Sequence, residues 1–291
     1  MEGRTEPFRH PLAFPSFYRL GFAGARRVPK AALYLAADGI GLASYLACRA
    51  PAAVVRANLR RVLPGAPERE IARLARNIFR NFARYLVDYG RFRTVPREAL
   101  DRIIPVLDGK EHLDEAFRVG RGVILVTGHI GNWELGGVFF GRHGVKINVV
   151  TLPEGSARID EIRDLYRRGH NINTIVVDGT PFATLEIMGA LRRNEMVAML
   201  VDRWGRTDGV PADFFGREHS FPRGPFALSR ATGAAIVSAF VVRDGTAYRG
   251  IIEPPFVAGG LDDASCAGRI GEALERVIRR YPDQWYNFVP I

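Results

Sequence analysis

His129 and Glu134 are the residues whose types and spacing speak most directly of chemistry. An imidazole exchanges a proton near neutral pH, and a carboxylate beside it fixes its tautomer and raises its pKa. The pair stands in the run GHIGNWELGG over residues 128–137, directly after the apolar run GVILVT over 122–127. That apolar run reads as a buried parallel strand, which places His129 at a strand end and just before a helix. A helix N-terminus disfavours imidazolium, while Glu134 is expected to orient the ring and restore its basicity. A neutral, oriented imidazole is what general-base catalysis requires. Other chemistries find little footing. Cys48 and Cys266 lie far apart without a CxxC or Cys/His cluster, which argues against a disulfide framework or a zinc site. No Gly-x-Ser-x-Gly elbow occurs, and neither metal nor cofactor is expected.

The elements around this block alternate. Strand-like runs near Ile147, over 174–177 and over 196–201 are separated by helix-like runs over 159–168 and 182–193. The runs AAIVSAFVV and AYRGIIE read as two later strands, and 262–280 as a closing helix. The expected fold is α/β, a mixed, mostly parallel sheet flanked by helices, with an N-terminal helical extension and its site at the strand ends. With 291 residues, the chain is long for one average domain and short for two. We therefore expect a helical region over 1–105 and the α/β domain over 106–291.

Charge is concentrated in the first region. The chain carries a net +10, and between Arg49 and Arg97 twelve arginines face three acids, which accounts for nearly all of it. Over residues 67–93, Ile71, Leu74, Ile78, Phe82, Tyr85 and Tyr89 recur at helical spacing, and so do Arg69, Arg73, Arg76, Arg80 and Arg84. The two sets fall on opposite sides, giving an apolar stripe and an arginine stripe suited to an anionic membrane surface or an acidic carrier. The aromatics lie on the apolar side, so no nucleic acid is expected as a partner. Residues 31–46 are apolar but short for a span and interrupted by Asp38, which reads as a helix packed on the bilayer surface or on the core in preference to a single N-terminal anchor. The first ten residues mix acids, arginines and Pro7, so a cleaved signal peptide is not expected.

The block His129, Ile130, Gly131, Asn132, Trp133, Glu134 resembles the lysophospholipid acyltransferase superfamily, and within it the lipid A biosynthesis (lauroyl/myristoyl) acyltransferase branch. The resemblance runs from about Asn58 onward and continues through Arg168 before a glycine, Asp202 after an apolar strand, FFGR over 214–217 and PDQW over 282–285. It implies that His129 draws a proton from an acceptor hydroxyl, which attacks the thioester of a fatty acyl donor, acyl carrier protein or acyl-CoA. The acceptor it implies is a lipid or glycolipid hydroxyl. Backbone N–H groups near Gly131 and Asn132, or Arg168, would steady the oxyanion. Asn132, Trp133, Arg168, Asp202, Phe215 and Gly216 are the further residues expected to bind substrate, and the cytoplasmic face of the inner membrane is the expected location. Alternatives are a lysophospholipid or glycerolipid acyltransferase, a thioester hydrolase, and a non-catalytic binder of anionic lipid. Two departures from the branch stand out: Thr151 to Glu154 replace its usual Tyr-Arg-Pro-Asn, and no basic tail follows PDQW.

Overall fold

The structure, a computed structural model, describes residues 28–92, 95–152, 167–204 and 208–291. Two compact units emerge from the chain: one takes in the described residues up to Val95 together with Ile278–Ile291, the other Pro96–Val277. The division thus falls ten residues before the expected one at 105, and the last fourteen residues join the helical unit rather than the α/β domain.

In the helical unit, α1 (Lys30–Ala47), α2 (Arg49–Val62) and α3 (Glu68–Phe92) follow one another. α3 buries Ile71, Leu74, Ile78, Tyr85 and Tyr89, the stripe read from its spacing, while Phe82 is half-buried. Asn58 on α2 donates to the carbonyls of Asn287 and Val289, and Asn81 to that of Asp283. Phe79 meets Phe288 edge-on at 5.2 Å. These contacts explain why the C-terminal strand of chain belongs here. α1 packs against α3 through small residues. A Cβ on Gly41 would lie 2.6 Å from the Cα of Arg80, so only glycine permits this approach.

The inward side of α1 is also its polar side. Asp38 accepts from Arg80 (2.7 Å) and Arg84, and Tyr34 donates to the buried Asp88 (2.6 Å). Leu35 and Leu46 are 75% and 66% exposed, and Ile40 and Leu42 also face outward. The arginine stripe is therefore divided. Arg80 and Arg84 are held by Asp38, Arg73 pairs with Glu70 at 3.4 Å, and Arg69 and Arg73 are exposed. No single helix among the described residues is long and apolar enough to cross a membrane, though α1 and α2, bent by 95°, pass together on length and composition.

The second unit opens with α4 (Arg97–Ile103), β1 (Val106–Asp108), α5 (Lys110–Arg118), β2 (Val123–Thr127) and α6 (Trp133–Arg142). β3 (Ile147–Thr151), β4 (Ile172–Val176), α7 (Pro181–Arg192) and β5 (Met196–Leu200) follow. A hairpin of β6 (Val210–Asp213) and β7 (Glu218–Phe221), then α8 (Gly224–Thr232), β8 (Ala235–Asp244), β9 (Ala247–Ile252) and α9 (Asp263–Arg280), which leaves the unit after Val277, complete it. Seven strands form one sheet in the order β1-β9-β8-β2-β5-β3-β4, with all pairs parallel except β8 with β9. This is the mixed, mostly parallel sheet flanked by helices that the alternation predicts. β2 is buried at every position, as a central parallel strand should be. The helix expected over 159–168 lies outside the described residues apart from Arg167 and Arg168.

Candidate active site

β2 and β5 are neighbours in register, with Thr127 opposite Leu200. Two residues beyond each strand end stand His129 and Asp202, at the same height on the C-terminal edge of the sheet. The backbone continues the pairing for one more step, Val201 N–H donating to the Thr127 carbonyl at 2.9 Å. Asp202 then takes both offers of His129: Nδ1–H donates to Oδ1 at 2.7 Å, and the backbone N–H donates to Oδ2 at 3.0 Å. Asp202 is fully buried, and the His129 side chain is 22% exposed. A carboxylate on Nδ1 assigns the proton of the neutral ring to that nitrogen and leaves the lone pair on Nε2. The carboxylate on Nδ1 is thus that of Asp202, a contact that the spacing from His129 to Glu134 did not point to.

The residues between His129 and Glu134 explain why. Gly131 has φ +63°, and a Cβ there would lie 2.0 Å from the Val241 carbonyl, so the turn demands glycine. Asn132 donates its N–H to that same carbonyl at 2.7 Å, which pins the loop to β8. Its Oδ1 accepts from Leu135 N–H at 3.0 Å and caps α6. Trp133 sets its ring edge-on to His129 at 5.4 Å. Glu134, in the first turn of α6, faces inward and receives Arg167, Nη2 to Oε1 at 2.6 Å and Nε to Oε2 at 3.4 Å. This ion pair is almost wholly buried, 5% and 6% exposed. Arg167 also reaches Thr174 on β4 at 3.5 Å.

Several expected roles change as a result. Arg168 is exposed, and its neighbour Arg167 is the arginine turned into the site. Adjacent arginines differ by one helical step, which spacing alone does not resolve. The Asn132 N–H is occupied by Val241, so it is not an oxyanion donor, whereas the buried Asn132 Nδ2 has no partner. Phe215 and Gly216 form the tip of the β6–β7 hairpin, both with positive φ. Phe215 N–H donates to Glu275, and its ring packs on Phe214 at 4.5 Å, so these residues brace the hairpin on α9. His219, on β7, escaped sequence reasoning altogether. Its ring packs between Phe214 and Phe221 and hydrogen-bonds the Asp202 backbone. Burial pushes its pKa down, against the pull of the Asp202 charge.

A cavity of about 70 Å³ lies between α6 and the sheet, and Thr127, Trp133 and Glu134 are among its lining residues. Apart from Thr127, Glu134 and Arg167, its walls are apolar or glycine. Its apolar walls suit hydrocarbon. Trp133, whose ring meets that of His129, thus also lines an apolar cavity whose wall includes one buried ion pair.

A family model described as bacterial lipid A biosynthesis acyltransferase matches residues 1–290. Among curated proteins, the chain is 27% identical over 276 residues to the phosphatidylinositol mannoside acyltransferase of Mycobacterium tuberculosis, covering 94% of this chain and 86% of the relative. It is 25% identical over 286 residues to the lipid A biosynthesis palmitoleoyltransferase of Escherichia coli, covering 97% and 92%. To the lipid A biosynthesis lauroyltransferase of the same organism it is 27% identical over 265 residues, covering 89% and 84%.

Proposed function

We propose, from the premise that this chain belongs to the bacterial lipid A biosynthesis acyltransferase family and is an acyltransferase, that His129 is the general base and Asp202 the carboxylate that holds it. The hydrogen bond from His129 Nδ1 to Asp202 carries this reading. In the proposed reaction, Nε2 takes the proton of an acceptor hydroxyl as its oxygen bonds to the carbonyl carbon of an acyl thioester. The tetrahedral oxyanion collapses, the C–S bond breaks, and imidazolium returns the proton to the leaving thiolate. Asn132 Nδ2, buried and unpartnered in the turn that follows the base, is the donor we assign to the oxyanion. The Glu134–Arg167 pair holds a wall of the apolar cavity in place, and the acyl chain occupies that cavity.

The named relatives act on lipid A or on a mannosylated phosphatidylinositol, which supports a hydroxyl of a membrane glycolipid as the acceptor here. The donor in this reading is an acyl carrier protein or acyl-CoA, since both present the same acyl thioester. We assign the protein to an anionic membrane surface on the cytoplasmic side. Support comes from the outward apolar side of α1 and from Arg69, Arg76 and Arg73, the last only loosely paired with Glu70 at the surface, while Asp38 takes Arg80 and Arg84. The test is to mix the protein with a radiolabelled acyl thioester, with and without glycolipid. Label appearing as an ester of the glycolipid is expected; label released only as free fatty acid would make it a hydrolase.

A further inference from the structure

Asp202 is held at three points. Its carboxylate takes the ring and the backbone N–H of His129, at 2.7 and 3.0 Å. Gly128 closes on it from the end of β2: a Cβ there would lie 3.3 Å from Asp202 Cγ and 2.8 Å from Leu274 Cδ2, so that side of the carboxylate is already filled. The third hold comes from His219, whose ring hydrogen-bonds the Asp202 backbone. That bond favours the protonated ring, so the ring donates and the Asp202 carbonyl accepts. His219 Nε2 is buried and has no partner, which makes Nδ1 the donor.

A neutral ring with its proton on Nδ1 carries a lone pair on Nε2, and burying that lone pair without a partner costs stability. The ring sits between Phe214 at 5.1 Å and Phe221 at 5.0 Å, a setting that a phenyl ring would fill without that cost. Packing alone does not call for a histidine here; a donor to Asp202 does. The element that carries the ring is itself fixed. His219 stands opposite Ala212 in the β6–β7 pairing, and the hairpin tip is tied to α9 by Phe215 N–H donating to Glu275. Phe221 lies on the same helix, where a Cβ on Gly271 would meet its ring at 3.5 Å. A braced hairpin thus aims one ring N–H at the residue that holds the base.

We infer that His219 is a positioning residue: by fixing the backbone of Asp202 it sets the carboxylate where it keeps the proton of His129 on Nδ1 and the lone pair on Nε2. The inference rests on the acyl-transfer reading and adds to it a residue far outside the block from His129 to Glu134. In this role His219 acts through Asp202, so its loss bears on kcat and leaves the binding of thioester and acceptor alone.

The test uses the full chain carrying isotope-labelled histidine, with ring nitrogens observed by NMR and the His129 signals identified by their absence in His129→Ala. It compares wild type with His219→Phe, which removes the donor, and His219→Asn, whose Nδ2 stands where the histidine Nδ1 stood. The wild type should show His129 with its proton on Nδ1. His219→Phe should show a mixture of both tautomers and lose kcat by about 10- to 100-fold at unchanged KM, while unfolding near the wild-type midpoint. His219→Asn should restore both signals and kcat. His219→Leu, which also lacks the donor, takes the place of His219→Phe should that variant fail to fold. Wild-type His129 signals or wild-type kcat in a folded donorless variant would overturn the positioning role, as would a His219→Asn no better than that variant. The NMR comparison needs no substrate, so a wild type that transfers no acyl group overturns the acyl-transfer reading while the ring signals still decide the role of His219.

Discussion

At the scale of single residues, the site divides two carboxylates between two tasks. Asp202 grips His129 through ring and backbone, and Glu134 neutralises Arg167 inside the unit. Buried ion pairs are weak sources of net stability, but removing one partner leaves an unpaired charge and costs about 3–5 kcal/mol. Glu134→Ala is therefore expected to lower stability by that amount in denaturant unfolding, and to reduce activity through loss of structure. Asp202→Asn should unfold near the wild-type midpoint, because its shape is kept, yet lose turnover. Equal unfolding midpoints for Glu134→Ala and wild type would show that the pair is dispensable. Sequence reading set Glu134 to orient His129, whereas Nδ1 of the ring bonds Asp202. A spacing of five along the chain is visible in a sequence; a register that sets His129 beside Asp202 across two strands is not. Asn132 and Gly131 were legible as a block, while the reasons for them, a cap and a left-handed turn against Val241, needed the fold.

Secondary-structure elements carry the next level of constraint. The turn between β2 and α6 exists only because Gly131 accepts positive φ at van der Waals contact with β8. Gly131→Ala should cost at least about 2 kcal/mol, from the left-handed conformation alone and the clash beyond it. Asn132→Ala should cost about 1 kcal/mol as a lost cap, in addition to its effect on turnover. Thermal unfolding of the two variants tests that order. At the start of β5, burial raises the pKa of Glu195, but hydrogen bonds from Arg193, Asn148 and Lys146 outweigh it and hold the group at about 2. Its folded value lies below the ordinary 4.5, so the stabilisation is present above pH 4.5 and is lost as pH falls toward 2. His219 has the opposite chemistry and a consequence of the same sign: its depressed pKa means that the unfolded chain gains protons first, and stability falls once pH drops below 6.5. Midpoints of thermal unfolding measured against pH should show both steps, with Glu195→Gln flattening the lower one. The strands and long helices were readable from periodicity because one side or both are buried. The β6–β7 hairpin was not, since its strands are short and Phe214 and Phe215 bury themselves through a turn rather than a repeating pattern.

For the chain as a whole, the proposed membrane assignment rests on the helical unit. The outward stripe of α1 is apolar and its inward side holds Asp38 and Tyr34, the reverse of a helix built only for a water-soluble core. Sequence reading found both the apolar helix and the arginines, but it gave all five arginines to the surface because Asp38 lies more than forty residues away in the chain. Each basic group near an anionic leaflet contributes about 1 kcal/mol, screened over about 10 Å at 0.1 M salt. Binding to vesicles should therefore need anionic lipid and weaken with salt. Arg69→Glu, Arg73→Glu and Arg76→Glu together should release the protein, and Leu35→Ser with Leu46→Ser should weaken what salt leaves. Sedimentation of both variants with anionic vesicles at the wild-type level would show that neither these arginines nor the outward side of α1 carries the binding, and failure of the wild type itself to sediment would remove the membrane assignment. Turnover itself tests the central claim most directly: steady-state transfer from acyl thioester to glycolipid by folded His129→Ala and Asp202→Asn. A base held by a carboxylate predicts that kcat falls by about 10² to 10⁴ in the first and by a comparable factor in the second. Retention of more than about half of wild-type kcat by folded His129→Ala would contradict it.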